Sequence, residues 1–442
     1  MFAKTQRLKD ALHDKDFFEY GGRVSQIYGL TVEAIGLSAK LGDICRIYTD
    51  DKSKYILAEV VGFKEKKVLL MPFGDLSGVG PSSYVISDNR ALKVAVGNAF
   101  LGRVLDGLGN PMDGLGPIKP DDYYPIMNNP PSPLERKRIT EKLPLGIKAI
   151  DSMLTLGKGQ RIGIFAGSGV GKSTLLGMIA RNTAADINVI VLIGERGREV
   201  RDFIEKDLKE EGLKRSILVI ATSDQPALVR LKSAMVGTAI AEYFRSQGLD
   251  VMLMMDSLTR FAMAQREIGM AIGEPPVSRG FTPSVYAILP KLLERAGMCS
   301  NGSITGLYTV LVEGDDLDEP ISDTVRGILD GHIVLTRKMA NSNHYPAIDV
   351  LQSVSRLMPD VMERDALNKV SYLKGVMSTY KDAQDLISIG AYKPGSSAKI
   401  DEAIALNDSI TSLLRQQVDE RYSFDETMDI VSEIYDRRSE KE

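Results

Sequence analysis

The stretch RIGIFAGSGVGKST at 161–174 constrains the fold of this chain more than any other. An apolar run with strand character, Arg161–Ala166, breaks into a loop carrying Gly167, Gly169 and Gly171 and then into a helix-forming run, TLLGMIARNTA. Strand, glycine loop and helix in that order is the context a Walker A phosphate loop requires. Glycines let backbone N–H groups turn inward around phosphate oxygens without Cβ clashes. The helix N-terminus adds the positive end of its dipole. The cradle is then Gly167, Ser168, Gly169, Val170, Gly171, Lys172, Ser173 and Thr174. In it Lys172 offers a point charge to the β- and γ-phosphates of ATP or the terminal phosphate of ADP, and the Ser173 hydroxyl can ligate Mg2+. The strict pattern opens on Gly where this chain has Ala166, a residue small enough that no loss of function is expected.

Such a loop belongs in a parallel sheet, and the flanking sequence supplies one. Apolar strand candidates fall at 161–166, 188–193, 216–221, 251–256, 307–312 and 332–335, with helical stretches such as 173–185 and 226–247 between several of them. Continuous apolar strands separated by helices indicate a sheet covered on both faces. The run VMLMMD ends in Asp256, which suits a Walker B aspartate holding Mg2+ through water. A catalytic base should stand at the carboxyl end of a neighbouring strand, and VIVLIGERGRE puts Glu195 there, beside Arg196 and Arg198. Spacing alone leaves Glu195 equally readable as an exposed acid in an ion pair.

The rest of the chain divides around this core. At 442 residues, about three domains are expected. Residues 1–20 read as a short helix with Leu8, Ala11 and Leu12 on one side. From 22 to 92, short β-branched and aromatic segments punctuated by Gly, Asp and Lys turns suggest a small barrel or sandwich. Its charges, 9 basic against 8 acidic, leave no surplus for a nucleic-acid groove. Residues 106–133 are dense in turns and read as a connection. Beyond Ala366 strand signals stop, apolar positions 406, 410, 413, 414 and 418 fit one helix face, and the end is a solvated tail.

Composition excludes several chemistries. Cys45 and Cys299 form no CxxC pair, and His13, His332 and His344 form no HExxH cluster. No GxSxG elbow occurs. Any chemistry here therefore runs on carboxylates, Lys, Arg and backbone amides. The longest apolar runs, 189–193 and 251–255, fall far short of the ~20 residues a membrane span needs. The first residues lack the apolar core of a secretory signal, so a reducing cytoplasm is expected.

Seven segments taken together resemble one family: LPLGIKAID (143–151), AGSGVGKST (166–174), GERGRE (194–199), DSLTRFAMAQREI (256–268), GEPPVSRGFTPSVYAILPKLLERAG (273–297), EGDDLDEPISD (313–323) and HYPAIDVLQSVSR (344–356). The chain resembles the rotary-type hexameric ATPases that include the catalytic beta subunit of ATP synthase. Within that superfamily it is most similar to the flagellum-specific type III protein export ATPases. The resemblance runs from about Gly22 to the end.

It implies an α/β fold: a RecA-like P-loop ATPase core with an N-terminal six-stranded β-barrel and a C-terminal helical domain. The expected bounds are 1–21 for a partner-docking helix or tail, 22–92 for the barrel, 93–365 for the ATPase and 366–442 for the helical domain. It implies Glu195 as the catalytic glutamate, Arg196 on the γ-phosphate, Asp256 as the Walker B residue, and Arg356 as an arginine finger reaching a neighbouring subunit's site. It also implies Tyr345 as an adenine-stacking residue, although HYP differs from the beta-subunit wording. The implied assembly is a homohexamer with a regulatory stator-like protein at its N-terminus. Export chaperones and the export gate would be its partners, at the cytoplasmic side of the inner membrane.

Three rivals remain. An injectisome ATPase is nearest, and the wording GEPPVSRGFTPSV favours the flagellar type. A rotary synthase subunit is disfavoured, the non-catalytic kind because Glu195 is present, and the beta kind because no DELSEED-like acidic run occurs. An RNA translocase would need a basic, aromatic barrel, which 22–92 does not supply.

Overall fold

The structure, a computed structural model, describes residues 21–49, 54–312, 314 and 316–437. The expected N-terminal docking helix and the final tail lie outside these residues.

Six strands close into a barrel: β1 (Gly21–Tyr28), β2 (Thr31–Ile35), β3 (Asp43–Tyr48), β4 (Tyr55–Lys64), β5 (Lys67–Pro72) and β6 (Tyr84–Ala91). Their order is β1-β2-β5-β4-β3-β6, with β1 pairing back onto β6. Strand side chains alternate between faces, and the inward set is small and β-branched: Val24, Val32, Ala34, Cys45, Ile47, Ala58, Val60, Val68, Leu70 and Val85 form one buried cluster. The bore is thus packed solid.

The second sheet holds β7 (Val104–Asp106), β8 (Arg161–Ala166), β9 (Ile187–Glu195), β10 (Ser216–Thr222), β11 (Asp250–Asp256), β12 (Ser303–Leu311), β13 (Gly331–Leu335) and β14 (Val354–Ser355). Their order is β14-β13-β8-β12-β11-β9-β10-β7, parallel except for β14 against β13, and a ninth, two-residue strand, Gly297–Met298, pairs antiparallel with the start of β12. The continuous apolar runs follow from burial on both faces. In β9, Val189, Val191 and Ile193 enter one core while Ile190 and Leu192 enter the other.

Each core also binds a flanking domain. The first packs the helix Ala227–Ser246 and takes in Ile44, Met71 and Phe73 of the barrel. Lys232 of that helix reaches Glu59 of β4, with Nζ 2.6 Å from the carboxylate, both side chains almost fully buried. The second core holds the P-loop helix Lys172–Asn182 and the short helix Lys148–Met153, and it is on Lys148–Met153 that three C-terminal helices pack, Arg364–Ser388, Ala398–Leu414 and Phe424–Asp436. The last begins with a capping box between Ser423 and Glu426.

Some local expectations change. β7 and β14 were not expected: at three and two residues they are too short for a period to register. Val418 does not extend the helix face of Leu406, Ile410, Leu413 and Leu414, because that helix ends at Leu414 and Arg415 is extended. Among the described residues no helix is long and apolar enough to cross a membrane.

Candidate active site

β8, β9 and β11 run parallel, so their carboxyl ends, at Ala166, Glu195 and Asp256, emerge on the same edge of the sheet. Crevices at such edges are where open α/β sheets bind ligands. The loop after β8 turns through Gly169 (φ 79°) and Gly171 (φ 89°), and Gly171 caps the P-loop helix. Both angles lie in the left-handed region that glycine tolerates best.

Lys172, on the first turn of that helix, brings Nζ to 2.5 Å from Asp256 Oδ1 and 3.8 Å from Glu195 Oε1. Asp256 is only 4% exposed. Its Oδ1 also accepts from Thr309 Oγ1 on β12 at 2.6 Å. Glu195 is less enclosed but still largely buried. That burial raises its carboxyl to about 7; the Asp256 charge pushes the same way and Lys172 opposes both. The cluster is two acids and one base in a shielded crevice. One acid is pinned, while the other is poised near neutrality.

Two residues that sequence reasoning passed over belong here. Thr309 fixes Asp256, but it stood out little in sequence, since its strand also carries Thr305 and Tyr308. Arg260 stands on the first turn of Leu258–Ala271, a helix capped by Ser257 Oγ accepting from Arg260 N. Its side chain packs against Gly194, where an added Cβ would sit 3.2 Å from Arg260 Cβ, and its buried Nε has no hydrogen-bond partner.

The other expected residues are distributed unevenly. Tyr345 lies against the phosphate loop: a Cβ at Gly171 would be 3.5 Å from Tyr345 Cε1, and the tyrosine is 43% exposed. Ser173 is exposed on the first helical turn, and Thr174 hydrogen-bonds Asp207. Arg196 does not join the cluster. Its side chain is 81% exposed and pairs with Glu199 at 3.4 Å on its own helix. Arg356 is not in a helix; it occupies an exposed turn after β14. Ser355 pairs with Gly331 at the amino end of β13, while Leu335 at the carboxyl end pairs with Ala166. About 13 Å of strand therefore separates Arg356 from the level of its own phosphate loop.

Known proteins match along the whole described chain. The ATP synthase alpha/beta family, nucleotide-binding domain, matches residues 146–355, and the beta-barrel domain of the same family matches 24–87. The T3SS EscN ATPase C-terminal domain matches 362–433. The flagellum-specific ATP synthase of Bacillus subtilis (strain 168) is 54% identical over 96% of this chain and 97% of that protein. This chain belongs to the family of flagellum-specific ATP synthases and type 3 secretion system ATPases.

The type 3 secretion system ATPase of Xanthomonas euvesicatoria, 51% identical with 94% of each chain covered, shows that both branches lie close. Among solved structures, the assembled ATPase EscN of the enteropathogenic Escherichia coli type III secretion system superposes with a TM-score of 0.88. It is 45% identical, with 94% of this chain and all of that one covered. EscN in complex with its central stalk EscO gives 0.87 at 44% identity. The barrel, α/β core and helical end expected from the sequence are thus the architecture of the family.

Proposed function

We propose that this chain is the Mg-ATP-hydrolysing motor of a flagellar type III export apparatus. The observation that carries the hydrolytic part is the convergence of Lys172, Glu195 and Asp256 on one edge of the sheet. The amides of 167–174 cradle the phosphates, and Lys172 neutralises them. Glu195, held near neutrality, takes the proton from the attacking water or orients it. Arg260, half-buried with an unpartnered Nε beside Gly194, supplies positive charge where the γ-phosphate leaves, a role that exposed Arg196 is badly placed to fill. Tyr345 offers a ring face to adenine. Arg356 of a neighbouring copy completes the site.

The residues fit a magnesium ion. Asp256 and Ser173 are hard oxygen donors, and among the described residues no group of three or more His, Cys, Asp or Glu forms a cage. That suits a metal usually held by one or two protein ligands, water and phosphates. Asp256 and Ser173 would hold the ion, which would supply charge neutralisation at the phosphates.

A finger supplied by a neighbour requires a ring, and the expected ring is a homohexamer. EscN supports this, being described as assembled and as binding a central stalk. Export chaperones and the export gate are the partners this reading assigns, at the cytoplasmic face of the inner membrane. The Bacillus subtilis relative, at 54% identity, favours the flagellar branch over the injectisome. The test is genetic and biochemical together. Deleting the gene should abolish swimming and export of filament protein, the intact gene should restore both, and Lys172→Ala should restore neither. Normal swimming after deletion would rule the flagellar assignment out.

A further inference from the structure

β12 lies between β8, which leads into the phosphate loop, and β11, which ends in Asp256. The register pairs Thr309 with Ile164 on one side and Tyr308 with Met255 on the other, so Thr309 comes up beside Asp256. Thr309 is fully buried. A β-branched side chain has few χ1 wells to choose from. This one places its hydroxyl 2.6 Å from Asp256 Oδ1, against 3.4 Å for the alternative acceptor, Met255 O. The shorter bond has the length usual for a hydroxyl donating to a carboxylate. Asp256 Oδ1 has a second donor, Lys172 Nζ, at 2.5 Å. Among the described residues none hydrogen-bonds the other oxygen, Oδ2. Both donors therefore hold one oxygen, and the other is left for a ligand.

The two donors respond differently to nucleotide. Lys172 is the charge that a phosphate loop offers to the β- and γ-phosphates. Here its ammonium is given to Asp256, so loading the loop draws it away. Asp256 then loses its charged partner just when it has a metal to hold. Thr309 belongs to a central strand and not to the loop, so its bond does not depend on what the loop contains. A carboxylate that serves a metal does so well only if outer hydrogen bonds fix its own rotamer. We propose that Thr309 is a positioning residue that keeps Asp256 oriented for the metal after Lys172 has moved to the phosphates. The inference rests on the reading that nucleotide and Mg2+ bind together at this loop.

The test reads metal affinity itself. Mn2+ stands in for Mg2+ and is titrated into the full-length chain saturated with ADP, with free Mn2+ followed by electron paramagnetic resonance. The affinity for a fluorescent ADP in excess chelator is measured in parallel. Thr309→Val keeps the shape and removes the hydroxyl, whereas Thr309→Ser keeps the hydroxyl and removes the methyl. Thr309→Val should bind metal-free ADP as the unaltered chain does, which also shows that it is folded. It should hold Mn2+ about 10- to 100-fold more weakly. Thr309→Ser should recover most of that loss. If Thr309→Val does not fold, Thr309→Ala carries the same expectation. Unchanged Mn2+ affinity in the variant without the hydroxyl overturns the proposal. So does an equal loss in Thr309→Ser, which would trace the effect to packing. Failure of the underlying reading looks different: the unaltered chain would bind no ADP, or would take up no Mn2+ alongside it.

Discussion

Arg356 donates its backbone N–H to the carbonyl of Asp330 at 3.0 Å, which anchors it at the amino end of β13, on the opposite edge of the sheet from its own phosphate loop. An arginine held there is far from its own phosphate loop, which is why the proposed function assigns it to the site of another copy. Arg356→Ala should bind ATP normally and hydrolyse it ~10³-fold or more slowly. Mixing it with Lys172→Ala chains creates some interfaces that have both groups. Steady-state phosphate release should then recover partially, and a mixture as inactive as its parts would refute supply in trans.

Glu195→Gln removes the proton acceptor while keeping the shape. Fluorescent-nucleotide titration should give near wild-type affinity, while turnover falls by ~10²–10⁴. Wild-type turnover in this variant would mean that another group activates the water.

The raised Glu195 carboxyl gives the reaction a pH dependence of definite sign. Acting as a base, Glu195 must be ionised, so kcat/KM for ATP should be low in acid and rise through about pH 7 toward a plateau. Desolvation is the main cause of the shift. A raised pKa also means that the folded chain holds this proton more tightly than the unfolded chain does. The stability it contributes is therefore present below the ordinary glutamate range and lost as pH rises through about 7. Glu195→Gln should flatten that part of a pH–stability profile measured by urea unfolding, and an unchanged profile would place the titration elsewhere.

Barrel and core are joined by Lys232 and Glu59, a buried pair in which each charge depends on the other. Lys232→Met leaves a buried carboxylate uncompensated and should cost ~3–5 kcal/mol. Lys232→Met with Glu59→Leu should recover most of that loss. Equal losses in the single and double variants, read from urea midpoints, would show that packing rather than charge pairing sets the cost.

Local patterns carried most of what the sequence revealed. The phosphate loop was legible because strand, glycines, Lys172 and helix are contiguous, and the sheet because each buried strand is a continuous apolar run. Glu195 stayed ambiguous, since its contact with Lys172 and the Asp256 charge arises only when three strands align. Thr309 and Arg260 were passed over because each is one of several polar residues in its segment, and nothing local sets it apart. Arg196 adjoins Glu195 in sequence, but the strand ends between them and it turns outward.

The barrel's closure of β1 onto β6 has a last consequence. In the ring proposed above, an open sheet edge would risk strand exchange between copies, because such an edge accepts any matching strand. A closed barrel presents no such edge. In the proposed ring, neighbouring barrels would meet through side chains rather than by adding strand to strand.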